Sequence, residues 1–168
     1  MRRRRYGESG GGSSHILGWM RRGRLLQLVR GVEKRRANEA RGVEVRGGLV
    51  GRDRRQRQQQ RLGGVEPGGR CIALPVRNVH RTVGALLAGE VFARFGAAGL
   101  PDGTIGITLT GSVGQSVGAF LCPGITLRIE GDANDYVGKG LSGGRVIVVP
   151  PAGATFVPHQ STIAGNVI

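Results

Sequence analysis

The sequence has only two cysteines, Cys71 and Cys122, and no long apolar run. Two cysteines allow at most one disulfide and lack the spacing of a metal-ligand set, so they indicate core thiols in a reduced, cytoplasmic protein. No stretch reaches the roughly 20 apolar residues that a membrane-spanning helix needs. The apolar stretch at 15–20 follows several arginines but is too short for the core of a signal peptide. The sequence therefore argues against a disulfide scaffold, a metal module and a membrane protein.

Lysine and aromatic residues are scarce in the first half, where arginine is abundant. Residues 1–70 carry 19 basic and 6 acidic residues, a net charge of +13, whereas residues 71–168 carry 6 and 5, a net charge of +1. Lys34 stands alone among 18 arginines there. Such a segment has little periodic apolar content to offset the entropy of ordering. We therefore expect residues 1–74 to be a basic, Arg/Gly-rich leader that is largely disordered or not native.

Three interpretations of this leader stay open. Runs such as RDRRQRQQQR at 52–61 have the charge of a segment that binds nucleic acid by neutralising phosphates. Aromatic residues are not interleaved with the arginines, however, and neither zinc spacing nor a recognition-helix pattern is present. A solvated tail, or translated DNA never selected as protein, is favoured over a nucleic-acid-binding arm. The apolar residues at 25–32 predict only a short amphipathic turn or two, because Gly23 and Gly31 interrupt them.

The foldable half opens with a predicted helix over residues 78–96. Asn78 is placed to cap its N-terminus and Gly96 its C-terminus, and apolar residues recur between them at helical spacing. We expect this apolar face to pack on the first coil of the repeat that follows. Its members are Val79, Val83, Leu86, Leu87, Val91 and Phe95.

From residue 105 onward the sequence repeats every 20 residues. Alternate apolar positions place side chains on one face of a strand, and a constant period stacks such strands in register. The pattern predicts a coiled, mainly β architecture, and because the repeat breaks off at Ile168 it indicates a piece of a longer protein. The triplet Ile105, Ile107 and Leu109 lies over Ile125, Leu127 and Ile129, and then over Arg145, Ile147 and Val149. Further columns are Val117, Val137 and Val157, Tyr136 and Phe156, and Ile147 and Val167.

Glycines recur with the same period and predict the corners of the coil. A corner needs a positive φ or a close backbone approach at each turn, and glycine supplies both. The pairs are Gly111 and Gly131, Gly118 and Gly138, and Gly124 and Gly144.

Several strings resemble catalytic motifs, and each is better explained as a corner. Residues 138–143 have dinucleotide-binding spacing, but a strand-like segment follows instead of a helix. Residues 137–140 place Lys139 after a glycine as a P-loop does, but Gly140 replaces the required Ser or Thr and the upstream glycine spacing is wrong. Ser116 occupies the nucleophile position of GQSVG at 114–118, again without a following helix. Neither His80 nor His159 has a spacing that ties it to Ser116. Asp132 and Asp135 lack the spacing of an EF-hand loop and are expected as turn residues.

Three blocks together resemble one family. These are residues 76–96, 111–121 and 131–148, which closely resemble the C-terminal domain of the glutamate synthase large subunit, from about Pro75 to Ile168. That domain is named for a glycine pattern, G-x-x-G-x-x-x-G, which Gly111, Gly114 and Gly118 satisfy. In the second copy Asn134 replaces the middle glycine. The resemblance implies a right-handed parallel β-helix, truncated here and preceded by one α-helix, over residues 75–168.

The resemblance also implies a function for the parent enzyme. Such enzymes make two glutamates from glutamine and 2-oxoglutarate with FMN, an iron–sulfur cluster and NADPH or ferredoxin as reductant, and the β-helix braces the amidotransferase and FMN domains. No catalytic, cofactor-binding or metal-binding residue of the family is matched in this chain. We therefore expect a structural fragment that is inactive alone and has the rest of a glutamate synthase as its partner. Its structural glycine motif is Gly111, Gly114, Gly118, Gly131, Gly138 and Gly144. The alternatives are a nucleic-acid-binding protein acting through residues 1–70, and a stand-alone β-helix subunit that assembles with separate catalytic chains.

Overall fold

A parallel sheet of four strands forms the centre of the structure. The computed structural model describes residues 22–41 and 69–165. Within these ranges no helix is long and apolar enough to cross a bilayer. The elements are α1 (Arg22–Ala40), β1 (Arg70–Val76), α2 (Ala85–Phe95), β2 (Ile105–Val113), β3 (Ile125–Ala133) and β4 (Arg145–Val149), with single 3₁₀ turns at Gly96–Ala98 and Pro158–Gln160.

The strands lie side by side in chain order, β1-β2-β3-β4, and every pair is parallel. Ile105 pairs with Ile125 and Leu109 with Ile129, as the 20-residue columns predict. Because side chains alternate across a strand, these apolar residues lie on one face of the sheet, where all four are fully buried. The core of the protein is therefore built on the columns of β2 and β3.

The helix that was expected at residues 78–96 is shorter, and a strand precedes it. Strand β1 pairs with β2 from Arg70 onward, and α2 begins only at Ala85. Thr82 and Gly84 have φ angles of 55° and 101°, which no α-helix accommodates, so Asn78 cannot be the helix cap. Gly96, with φ 63°, does end the helix, and its N–H donates to the Phe92 carbonyl. The predicted apolar face is wrong at two of its members, Val79 and Leu86, which are 71% and 63% exposed.

The register between β3 and β4 differs by one residue from the 20-residue prediction. Arg145 pairs with Thr126, not with Ile125, so Val146 and Val148 lie beside Leu127 and Ile129. A one-residue shift exchanges the two faces of a strand. Val146 and Val148 therefore pack against the core, and the predicted core column of Arg145, Ile147 and Val149 is wrong. Arg145 instead forms an exposed ion pair with Asp102, at 2.9 Å.

Beyond β4 the chain leaves the sheet and returns much later. Pro150 and Pro151 follow the strand, and proline lacks the N–H that would continue the ladder. Pairing with β3 resumes at Ala164, which bridges to Ala133. Ala133 thus pairs 31 residues ahead instead of 20, and Val157 is 46% exposed, so the predicted columns do not extend to Phe156 and Val157. The column position at residue 167 lies outside the described residues.

Helix α1 corrects the expectation for part of the basic leader. It is 19 residues long and runs through Gly31, and Leu28, Val29 and Val32 are buried in the core. Packing of an apolar face stabilises a helix more than intrinsic propensity does, which is why the glycines do not interrupt it. Strand β1 also crosses the expected domain boundary between residues 74 and 75. The remainder of the leader, including 52–61, lies outside the described residues.

Candidate functional site

Three corners of the chain have the same conformation and stack on one another. These stacked corners are residues 82–84, 116–118 and 136–138. Each begins with a non-glycine residue in the left-handed region, Thr82, Ser116 and Tyr136, with φ angles of 55°, 61° and 63°. Each ends with a glycine whose φ is also positive, Gly84, Gly118 and Gly138. The central valine points inward: Val83 and Val117 are buried, and Val137 packs against the core.

Backbone hydrogen bonds join the stacked corners into a ladder. The N–H of Gly118 donates to the Val83 carbonyl, and the N–H of Gly138 donates to the Val117 carbonyl, each at 2.8 Å. In the opposite direction, the N–H of Thr82 donates to the Gln115 carbonyl and the N–H of Ser116 donates to the Asp135 carbonyl, each at 2.9 Å. The polar backbone of each turn is thus satisfied by the next turn, as a buried, non-repetitive backbone requires.

The middle glycine of the motif allows two turns to approach closely. A Cβ at Gly114 would collide with the carbonyl oxygen of Asn78, and the N–H of Gly114 donates to the His80 carbonyl. Asn134, at the equivalent position of the next corner, reaches the Asn78 side chain: its Nδ2 donates to Oδ1 at 3.1 Å. Glycine is therefore needed at 114, whereas an amide fits at 134.

The other glycines of the predicted motif are also confined by neighbouring backbone. A Cβ on any of these would meet a carbonyl oxygen or carbon of an adjacent turn, or a side chain beneath it. These residues are Gly111 beside Val76, Gly118 beside Val146, Gly131 beside Gly111, and Gly144 beside Ile125. Gly138 is less confined, since its nearest neighbour would be Leu141 at 3.8 Å, but its φ of 66° favours glycine.

Ser116 and the described histidines do not form a catalytic pair. Nδ1 of His80 accepts a hydrogen bond from the Arg77 backbone N–H at 2.9 Å, and its buried Nε2 has no partner among the described residues. Burial, and secondarily the charge of Arg77, lowers the pKa of His80. Ser116 begins a turn, not a helix, so the geometry of a nucleophile elbow is missing. His159 is exposed on the excursion after β4.

The phosphate-binding strings are likewise used as turns. Residues 138–143 lead into strand β4, so the helix N-terminus that would hold a phosphate is not there. The Lys139 ammonium lies over the Tyr136 ring, 5.0 Å from its centroid. Asp132 accepts a hydrogen bond from the Ser112 hydroxyl at 2.6 Å across the sheet. Tyr136 and Lys139 therefore lie in a turn, and Ser112 and Asp132 lie on the outer face of the strands.

The two cysteines do not fit a cluster of iron and sulfur. Cys122 is buried, with its Sγ 3.7 Å from the Ala88 carbonyl, and burial raises the pKa of its thiol. A cluster ligand must be a thiolate, which this environment disfavours. Cys71 is exposed on β1, so its predicted core position is wrong. In the described ranges no group of three or more Cys, His, Asp or Glu residues is arranged to hold a metal ion.

The first stacked corner was not predicted, although the sequence carries its signal. TVGALL at 82–87 matches SVGAFL at 116–121, and a weaker copy, YVGKGL, follows at 136–141. The last leucine of the first two copies, Leu87 and Leu121, is buried. The first copy does not follow the 20-residue period, because the residues of α2 lengthen the connection between this corner and β2.

The region that contains the stacked corners matches a known protein family. The family described as the GXGXG motif matches residues 65–168, which include all four strands and the stacked corners, and the chain belongs to that family. The matched part is a partial GXGXG domain of the glutamate synthase type.

Relatives of this region are glutamate synthases of three kinds. The glutamate synthase (NADH) of Schizosaccharomyces pombe is 54% identical over 96 residues, 57% of this chain and 4% of that protein. The glutamate synthase (NADPH) large chain of Bacillus subtilis is 46% identical over 96 residues, 57% of this chain and 6% of that protein. The ferredoxin-dependent glutamate synthase of Pyropia yezoensis is 46% identical over 91 residues, 54% of this chain and 6% of that protein. The chain thus spans about one twentieth of the length of these relatives.

Proposed function

We propose that this chain supplies a structural module of a glutamate synthase. The module is a right-handed parallel β-helix that braces the amidotransferase and FMN domains of an enzyme forming L-glutamate from glutamine and 2-oxoglutarate, in cytoplasmic nitrogen assimilation. The observation that carries the proposal is the ladder of stacked corners inside the region that matches the GXGXG family. Parallel strands joined in chain order support the handedness, because such connections are nearly always right-handed.

A structural role is favoured by how the polar residues are used. The strings that resemble active sites contain Ser116, Gly118 and Gly138. The backbone N–H groups of these residues donate the hydrogen bonds of the ladder and are not free to bind a substrate. In this proposal FMN, the iron–sulfur cluster and the reductant are bound by the remainder of the enzyme. The thiol of Cys122 is buried and held protonated, which agrees with that division.

A bracing role requires a surface that other domains can cover. Leu86 and Phe120 hold equivalent places in the first two corners and are each 63% exposed, and Phe92 of α2 is 59% exposed. A Cβ at Gly140, the equivalent place in the third corner, would meet the Phe120 ring, so Phe120 lies against that corner. The three exposed residues Leu86, Phe92 and Phe120 are called the apolar stripe below. We propose that the other glutamate synthase domains cover this apolar stripe, since the relatives are some twentyfold longer than the matched region.

The isolated chain tests the catalytic half of the proposal. Purified chain supplied with glutamine, 2-oxoglutarate, FMN and a reductant is expected to form no glutamate above a protein-free control. Flavin-dependent glutamate formation by the chain alone would contradict the proposal.

An exchange of segments tests the bracing half. We expect the Bacillus subtilis large chain to keep glutamine-dependent synthesis when its aligned 96-residue segment is replaced by the segment of this chain. In that hybrid, Leu86→Ser with Phe120→Ser should lower activity about tenfold by removing two anchors of the interface. Val79→Ser, at a residue exposed to a similar degree but outside the stripe, is the control and should have little effect. Equal activity of the double variant and the control would argue against the stripe as the interface.

A further inference from the structure

Helix α1 covers a surface of the family domain although it lies outside the matched region. The family match begins at residue 65, whereas α1 spans Arg22–Ala40. Leu28, Val29 and Val32 are 6%, 0% and 6% exposed, and they belong to the same core cluster as Leu87 and Val91 of α2. Their spacing places them on one side of the helix, while Gln27, Arg30 and Lys34 are exposed on the other.

Polar contacts fix the position of α1 along α2. Glu33 Oε1 accepts a hydrogen bond from the Arg94 guanidinium at 2.9 Å, with both side chains partly buried. The Arg36 guanidinium lies 5.7 Å from the centroid of the Phe95 ring, within the range of a cation–π contact. A helix held only by non-specific apolar contact would not pair an acidic and a basic side chain with two consecutive residues of α2.

Gly31 gives a third, independent contact. Glycine is unfavourable inside a helix, but a Cβ at Gly31 would displace the guanidinium of Arg70, the first residue of β1. The residue that weakens α1 in isolation is therefore the one that lets it lie against the start of the sheet.

We propose that α1 is an intramolecular cap. It occupies a helix-binding surface on α2 whose centre is apolar and whose margin offers one cation, Arg94, and one aromatic ring, Phe95. The occupant that fits is an amphipathic helix with aliphatic residues at i, i+1 and i+4, a carboxylate at i+5 and a guanidinium at i+8. In this chain α1 provides all five, and its docking keeps the domain monomeric.

Two variants of the 168-residue chain with the same change of charge test the cap. Val29→Asp places a carboxylate in the buried face, and Gln27→Asp places one on the exposed face. Hydrogen exchange of α1, β2 and β3 and sedimentation velocity are measured for both. In Val29→Asp we expect amide protection in α1 to fall about tenfold or more, protection in β2 and β3 to persist, and larger species to form as the surface on α2 is uncovered. Gln27→Asp should match the unaltered chain in all three respects.

Two results would overturn the proposal. If Val29→Asp keeps a protected α1 and a monomer, the helix is not held by its apolar face. If Val29→Asp loses protection in β2 and β3 together with α1, the helix is an integral part of one cooperative core and not a cap. Replacing Glu33 by Gln is a milder check: protection of α1 should fall two- to fivefold, as expected for a partly exposed ion pair, while the strands stay unchanged. No loss in that variant would contradict the assigned docking position.

Discussion

The connections β1–β2 and β2–β3 make the same corner but differ in length. Arg70 pairs with Ile105 and Ile105 with Ile125, so the first connection advances 35 residues and the second 20. The extra residues form α2 and the turn after it, while Thr82–Val83–Gly84 keeps the conformation of Ser116–Val117–Gly118. The unit that repeats in this chain is therefore the corner with its inward valine and leucine, and the length between corners differs.

The third corner is a less complete version of the first two. Leu87 and Leu121 close the first two corners and are buried, whereas Leu141 closes the third and is 45% exposed. Beyond it, β4 has only five residues and the chain leaves the sheet at Pro150. The difference indicates that the energy of packing is concentrated in the turns around β2 and β3.

The largest expected effect is on the corner leucines. Leu121→Ala removes a side chain that is fully buried and should lower the free energy of unfolding by about 3 kcal/mol. Leu141→Ala makes the same change at the exposed equivalent and should cost about 0.5 kcal/mol or less. Urea denaturation followed by circular dichroism measures both. Equal losses would show that the third corner is as well packed as the second.

Glycines in the corner and in the inserted helix should respond oppositely to the same substitution. Gly118→Ala forces alanine to a φ of 70° and places its Cβ 2.6 Å from Val146 Cγ2, so we expect a loss of about 2 kcal/mol. Gly89 lies inside α2 with no atom within 4 Å of its would-be Cβ. Gly89→Ala should therefore stabilise the chain by about 0.5–1 kcal/mol.

Gly96→Ala separates the two causes at Gly118. Gly96 has a similar φ, 63°, but no atom within 4 Å of its would-be Cβ, so its loss measures the backbone conformation alone. Thermal unfolding of the three variants under one set of conditions gives the comparison. If Gly118→Ala costs no more than Gly96→Ala, close packing between the second corner and β4 contributes nothing.

The register of β4 can be tested by one change at two neighbouring positions. Val148→Thr puts a hydroxyl on the core side of the strand and should cost about 1 kcal/mol, because the hydroxyl loses water there. Val149→Thr makes the identical change on the opposite face, next to Glu130, and should cost clearly less. A strict 20-residue register predicts the reverse order, so denaturation midpoints of the two variants decide between them.

The sequence allowed the strands β2 and β3 and their register to be predicted, whereas the irregular elements could not be predicted, for physical reasons. β2 and β3 alternate Ile or Leu with polar or small residues, so their inward face is readable. In β4 the run Val146–Ile147–Val148–Val149 is apolar throughout, so the sequence does not show which face of the strand is buried or whether its register is shifted by one residue. The corner at 82–84 does not fit a fixed period, because α2 lengthens the connection that follows it. Helix α1 could not be predicted from local helix propensity, because it is stabilised by packing against residues more than 50 positions away. The column of Val117 and Val137 was predicted from the sequence, but the inward position of Val83 and the Asn134–Asn78 contact needed the structure.

The smallest expected effect concerns His80, which stands at the first corner and has no counterpart in the second. Burial, and then the charge of Arg77, lowers the pKa of His80 below its ordinary 6.5, and Nδ1 must stay unprotonated to accept the Arg77 N–H. The unfolded chain thus binds a proton more readily than the folded chain. Stability should therefore decrease as pH falls below about 6.5, and the decrease should level off below the folded pKa.

His80→Asn removes this dependence but keeps an acceptor for the Arg77 N–H, because the Asn side-chain carbonyl can take the place of Nδ1. The slope of unfolding free energy against pH between 5 and 7 should be shallower in this variant than in the unaltered chain. His159→Asn, at an exposed position on the excursion after β4, should retain the original slope. A slope unchanged by His80→Asn would mean that the first corner tolerates an imidazolium, and that the two corners do not differ in their response to acid.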